Sequence, residues 1–408
     1  MKIRYSFKDK LFNDVRDIIH NNKLEVDYNY ILNEYLPFQI FVTGKTFYKG
    51  VRVEVFPKFD PKIVPNRSFK FNHKWFSDSI RNYLSSRKFD RSSSIVAVSG
   101  GVDSSVMALE IKPNMIYSGY YEDPDFDETK HSSLISKKLK VPHLKYLLNE
   151  DDFIENMEEC LDVIGIPIAG MGSVMEYALA KRVKKDTNFK NFVFGNGGDE
   201  IFMGYLFNHH ISSICKLSYT EPKYMPNFLP SMKNMITNAI DYLIMISLNR
   251  KYHCRNNIEL AYFGENLIKE ISGIKDLIGK LLYVNINMIL PSLLHLNNQM
   301  CRSLDVCGLN PLANVNFIMN ARSLCSTPIP KEKLRNIDNK LPRIIRNNYV
   351  KKGFPIPYQK WSRLNDLMKQ HYNSFSERLR YKQENYPGIN RYTWGVSQAE
   401  MFLRKNGR

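Results

Sequence analysis

The stretch IVAVSGGVDSSVMAL, from Ile95 to Leu109, joins a short apolar run to a turn of small residues and then to a second apolar run. An apolar run of strand length, glycines, then an apolar helix is the strand–turn–helix unit of a parallel sheet. Gly100 and Gly101 carry no side chain, so backbone amides there can approach an anion closely. A helix opening at Ser104 presents free N–H groups and the positive end of its dipole. Ser99, Ser104 and Ser105 add hydroxyl donors, and together these groups can cradle phosphate oxygens. Asp103 is the odd member, because a bare carboxylate repels phosphate. It makes sense if it holds Mg²⁺, a hard cation that takes oxygen ligands and bridges phosphates. The competing reading is a solvated turn with Asp103 as a helix cap. The loop is not a Walker A loop, since the GKS or GKT ending is absent.

The flanking pattern extends the unit. A helix is expected over Lys74–Ser86, a buried strand over Ile95–Val98, and a second strand over Met115–Tyr120. A helix over Glu128–Lys140 and strands over His143–Leu148 and Asn191–Phe194 follow. Ser173 and Glu176 have capping-box spacing ahead of a helix that ends near Lys185. Strands alternating with helices imply parallel pairing, with ligands bound beyond the carboxyl ends of the strands. A second glycine-rich turn, VFGNGGDEIFMGY from Val193 to Tyr205, falls at such an end. Its Asp199 could supply a second carboxylate to the same cation. The alternative is a helix start whose Asp199 and Glu200 only favour the dipole. Residues 206 to about 325 read as mostly helical. The lead contains TFYKGVRVEVFP, suited to strands, and then the proline-rich PKFDPKIVPNRS, an irregular connection.

Composition narrows the class. The 408 residues are 43% hydrophobic, enough for a large core. The formal net charge of +17 admits nucleic acid, anionic surfaces or phosphorylated ligands without choosing among them. The six cysteines form no CxxC pair and no metal-ligand spacing, which fits free thiols in a reducing compartment. No signal peptide or membrane-length apolar run is evident, so a cytoplasmic protein with no membrane partner is expected.

SGGVDSS resembles the signature of the PP-loop ATP pyrophosphatases, which cleave ATP to AMP and pyrophosphate while activating a carbonyl or carboxylate. The second turn resembles the asparagine synthetase pattern GEGADELFGGY at Gly195, Gly197, Asp199, Glu200, Phe202, Gly204 and Tyr205. It departs at Asn196, where that family carries a glutamate implicated in deprotonating ammonia. An amide is no general base near neutral pH, so the departure bears on substrate more than on fold. VKKGFPIPYQKW, Val350 to Trp361, resembles the family's KxGFxxPxxxW segment. KEKLR (Lys331–Arg335) keeps the family's order, and NPLANVNF resembles a weakened PFLD segment without the expected preceding Glu and Arg. YTWGVSQAEMFLRKN resembles the closing helix, and ILNEYLPFQIFVTGKTFYKGVRVEVFP the segment joining the family's two domains.

The resemblance implies an α/β fold with a parallel sheet flanked by helices, of the PP-loop or adenine nucleotide alpha hydrolase kind, with a helical C-terminal part. It divides the chain into an N-terminal lead, 1–75, and a synthetase domain, 76–408. No N-terminal glutaminase is expected, since Lys2 rather than a nucleophilic cysteine follows Met1. It implies an ATP-dependent, amide-forming ligase that adenylates a small-molecule or peptide carboxylate, with ATP and Mg²⁺ as cofactors. Asp103 and Asp199 would hold the metal, and Lys351 would contact pyrophosphate. Ser99, Gly100, Gly101, Ser104 and Ser105 would serve the phosphates, Gly197 would let backbone approach the nucleotide, and backbone near Ala97, Ser118, Phe194 and Gly195 would hold the adenosine. Free ammonia, another amine or a separate glutaminase chain would supply nitrogen. A PP-loop enzyme acting on tRNA and a catalytically silent ATP-binding homologue stand as alternatives.

Overall fold

The computed structural model describes residues 1–63, 68–87, 89–167, 170–205, 207–208, 244, 257–325, 330–337, 340–348, 356–380 and 385–407. Three N-terminal strands, β1 (Lys2–Phe7), β2 (Lys10–Phe12) and β3 (Arg52–Phe56), pair antiparallel in the order β2-β1-β3. Alternation turns Ile3 and Tyr5 of β1, and Val53 and Val55 of β3, into the core.

The second sheet has five strands, β4 (Ser94–Ala97), β5 (Met115–Tyr120), β6 (His143–Leu147), β7 (Asn191–Val193) and β8 (Cys307–Leu309). Their order is β6-β5-β4-β7-β8, and all neighbours are parallel. Ser94, Ile95 and Val96 of the central strand are buried, as a strand covered on both faces requires. The helices named here are α1 (His73–Ser85), α2 (Val102–Ile111), α3 (Thr129–Leu139), α4 (Glu150–Ile164), α5 (Gly172–Asp186) and α6 (Gly198–Ile201). After them come α7 (Leu277–Ser303), α8 (Ser362–Leu379) and α9 (Arg391–Asn406). α7 contains a π-turn over Asn285–Ile289. It is apolar and long enough to cross a membrane by length and composition, yet it is mostly buried in the core.

The expected α/β architecture is present, and the strands and helices read between residues 73 and 194 end within two residues of the pattern reading, while helix α4 (Glu150–Ile164) has no counterpart in that reading. Three differences have local causes. The helix after the first glycine turn opens at Val102 with Gly101 as its N-cap, so Asp103 lies inside the first turn and caps nothing. The capping box expected from Ser173 and Glu176 does not form. The residue before α5 is already helical, the Ser173 hydroxyl donates to the Gly170 carbonyl at 2.7 Å, and Glu176 faces α7 instead. β8 lies within a stretch read as helical: three residues are too few for a pattern, and pairing with β7 makes them a strand. Most of residues 206–256 lie outside the described residues.

β1 is tied to the rest of the chain. The Tyr5 hydroxyl lies 2.5 Å from His295 Nδ1 on α7, and the Tyr35 hydroxyl donates to Gln398 of α9 at 2.8 Å. The Met1 amino group reaches the Ala313 carbonyl, and burial lowers its pKa to about 5.

Candidate active site

Both glycine-rich turns leave the carboxyl ends of adjacent strands, β4 and β7, and open into one cleft of about 620 Å³. That is the size and the place a ligand takes in an open parallel sheet. Ala97, Ser99, Gly100, Gly101, Asp103, Ser104, Ser118, Phe194, Gly195 and Asp199 all line it. Ser105 and Gly197 do not. Ser105 is fully buried on the inner side of α2, and the Gly197 amide donates to Glu200 Oε2 at 2.9 Å, behind the lining. Lys351, with Gly353 and Phe354, lies outside the described residues. The same segment continues at Ile356 and Tyr358 on the cleft wall.

The first turn closes on its own hydroxyls. The Ser99 amide donates to Ser104 Oγ at 3.2 Å, and the Gly101 amide to Ser99 Oγ at 3.4 Å. These bonds are long, so an incoming anion can replace them at small cost. Close approach of the second turn depends on Gly198. A Cβ there would lie 2.8 Å from Asp103 Cβ and overlap the Asp103 carboxylate.

The two carboxylates converge on one cation. Lys331 Nζ lies 2.5 Å from Asp103 Oδ2 and 2.6 Å from Asp199 Oδ1. All three side chains are at most 14% exposed, so the attraction acts where water screens it weakly. Lys331 precedes the short helical turn Glu332–Arg335, with its backbone in the left-handed region at φ 54°. A Cβ on Gly204 would collide with the Lys331 stem, so that glycine lets the lysine in. Sequence reasoning gave Lys331 no role. Nothing in KEK separates it from Lys333, whose ammonium turns away to the Ser323 carbonyl. Arg335 also lines the cleft, with its guanidinium fixed by the carbonyls of Pro330 at 2.9 Å and Arg346 at 2.6 Å.

Ser118 does more than line the floor. Its hydroxyl donates to the Val98 carbonyl at 2.5 Å and lies 2.8 Å from His143 Nε2, stitching the turn after β4 to β5 and β6. Burial lowers the His143 pKa to about 4, so this contact is neutral at pH 7.

On the other wall, Asn196 Nδ2 donates to Asn310 Oδ1 at 3.1 Å and to Asn297 Oδ1. Asn297 Nδ2 in turn donates to Glu176 Oε1 at 3.0 Å. Burial pushes the Glu176 carboxyl above its ordinary range, partly offset by that bond. Arg391, at the start of α9, lines the cleft beside Gly170 and pairs with no carboxylate among the described residues.

A glycine- and serine-rich turn after the central parallel strand, facing an acidic turn from its neighbour, stands where α/β nucleotide-using enzymes hold their ligands. Residues 89–387 match the asparagine synthase family, and the chain belongs to that family. Membership makes it an ATP-dependent, amide-forming synthetase in the general sense. No curated protein matches the chain.

Proposed function

We propose that the protein activates a substrate carboxylate with ATP, releasing pyrophosphate, and passes the acyl group from AMP to ammonia or an amine. The observation that supports this most is the meeting of Asp103 and Asp199, from two separate turns, at one buried ammonium. The donor chemistry also fits Mg²⁺. That ion commonly takes one or two carboxylates and completes its shell with waters and phosphate oxygens. Among the described residues no group of three or more potential ligands forms a closed cage. Asp103 and Asp199 would hold the ion, which when bound neutralises phosphate charge.

The chain's own residues account for the rest. The amides of residues 99–104 and the Ser99 and Ser104 hydroxyls bind the phosphates at the start of α2. Lys331 supplies fixed positive charge where pyrophosphate departs, and Lys351 has the same role by its match to the family segment. Backbone at Ala97, Phe194 and Gly195 holds the adenosine. Arg391 is a cation available to the substrate carboxylate, as its guanidinium matches that group bidentately. The apolar wall of Leu293, Leu296 and Ile356 limits the water that would hydrolyse an acyl-adenylate. Nitrogen comes from free ammonia, an amine or a separate glutaminase chain.

The test is incubation with ATP, Mg²⁺ and a panel of amino acids and peptides bearing free carboxylates. Carboxylate-dependent AMP and pyrophosphate are expected. Production of ADP alone would overturn the reading.

A further inference from the structure

One acid on the cleft wall stands apart from the phosphate end. Glu176 accepts from Asn297 through Oε1 at 3.0 Å, and its other oxygen, Oε2, bonds no described residue. No cation pairs with it among the described residues. The titratable groups that face it are Tyr117 of β5, Cys160 of α4 and Cys301 of α7. Each is pushed up by burial and by the Glu176 charge, so all three are neutral near pH 7. Among the described residues, Glu176 is thus a cleft-lining carboxylate held by one amide bond and no countercharge. A structural carboxylate would normally find a cation or several donors.

Asn196 is linked to it through Asn297. Asn196 Nδ2 spends its hydrogens on Asn297 and Asn310. That fixes the amide and leaves Asn196 Oδ1 as an acceptor on a residue that lines the cleft. An acceptor that cannot take a proton, linked through one amide to a carboxylate that can on the same cleft lining, is a pair suited to an amine: one orients the N–H, the other removes it.

Resting on the acyl-transfer reading above, we propose that Glu176 is the general base of the second half-reaction and that Asn196 orients the attacking amine. The amine lone pair forms the N–C bond at the acyl carbon. Its proton passes to Glu176 Oε2. The C–O bond to AMP breaks, the electron pair leaves with AMP, and Glu176 later returns the proton to solvent. The raised affinity of Glu176 for protons brings it nearer the working pH, where a base is most effective.

The experiment separates the two half-reactions in Glu176→Gln, whose side-chain oxygen still accepts from Asn297. The acid giving the strongest ATP–pyrophosphate exchange in the panel is used, with ammonium chloride as nitrogen source. Exchange is expected to persist, while amide formation falls about 10²-fold or more. The rising limb of its pH profile should flatten. Placing the carboxylate on the other member of the pair, Asn196→Glu in the Glu176→Gln background, should recover part of the lost rate. Amide formation unchanged in Glu176→Gln, or exchange and amide formation lost in equal measure, overturns the assignment and leaves the ligase reading standing. No exchange by the wild-type protein with any acid overturns the ligase reading, and this assignment with it.

Discussion

The two ends of the cleft treat half-buried and buried acids in opposite ways. At the phosphate end, Asp103 and Asp199 share the Lys331 ammonium at 2.5 and 2.6 Å. At the amine end, Glu176 has the Asn297 amide and no described cation. The first arrangement offers two carboxylates to one cation; the second makes a carboxylate readier to accept a proton. On the roles proposed above, one fold sets three acids to two tasks through their neighbours.

The strongest way to break the contrast is to make the phosphate end resemble the amine end. Lys331→Met removes the cation that both carboxylates share. AMP formation should fall ~10²–10³-fold, and stability by ~3–5 kcal/mol, read by denaturant titration. Millimolar Mg²⁺ should restore much of that stability if the pair can hold the ion; no restoration would count against the proposed metal site. Next comes geometry. Gly198→Ala forces Asp103 away from the second turn and should cost ~10²-fold in turnover. Wild-type activity there would show that the close approach is dispensable.

At the amine end, Asn297→Leu removes the link between Asn196 and Glu176. It should lower the unfolding free energy by ~1–3 kcal/mol, since polar partners are left unpaired. The smallest effect is a pH dependence. The folded state holds the Glu176 proton more tightly than the unfolded state does. The resulting stabilisation is present below the ordinary carboxylate pKa and is lost as pH rises through the raised folded value. Wild type should therefore lose stability relative to Glu176→Gln as pH climbs from the acid side towards neutrality. Parallel curves would show Glu176 to be ordinary.

The strand–turn–helix units were legible because each carries its own period and its own punctuation. IVAV, SGG and an apolar helix announce one another within fifteen residues. Asp103 and Asp199 were legible for the same reason, as acids out of place in anion-binding turns. Lys331 was not, because its role comes from a left-handed backbone and a gap beside Gly204, neither of which leaves a mark in KEK. Glu176 was misread for a related reason. Its spacing from Ser173 fits a cap, yet packing of α5 against α7 turned it towards Asn297. β8 fell below the length at which periodicity speaks. Local pattern gave the scaffold and the acids, while contacts between distant segments decided their neighbours.

The anchoring of β1 bears on how the chain is made. Tyr5 meets His295 across 290 residues of sequence, and the Met1 amine meets Ala313 across 312. At ~5–20 residues per second, that separation means roughly a quarter of a minute to a minute of synthesis. Throughout it β1 has been made and these two distant partners, His295 and Ala313, have not. Pairing with β2 and β3 can hold β1 within the first 56 residues, so the ties to distant segments come as a later, separate step of its anchoring.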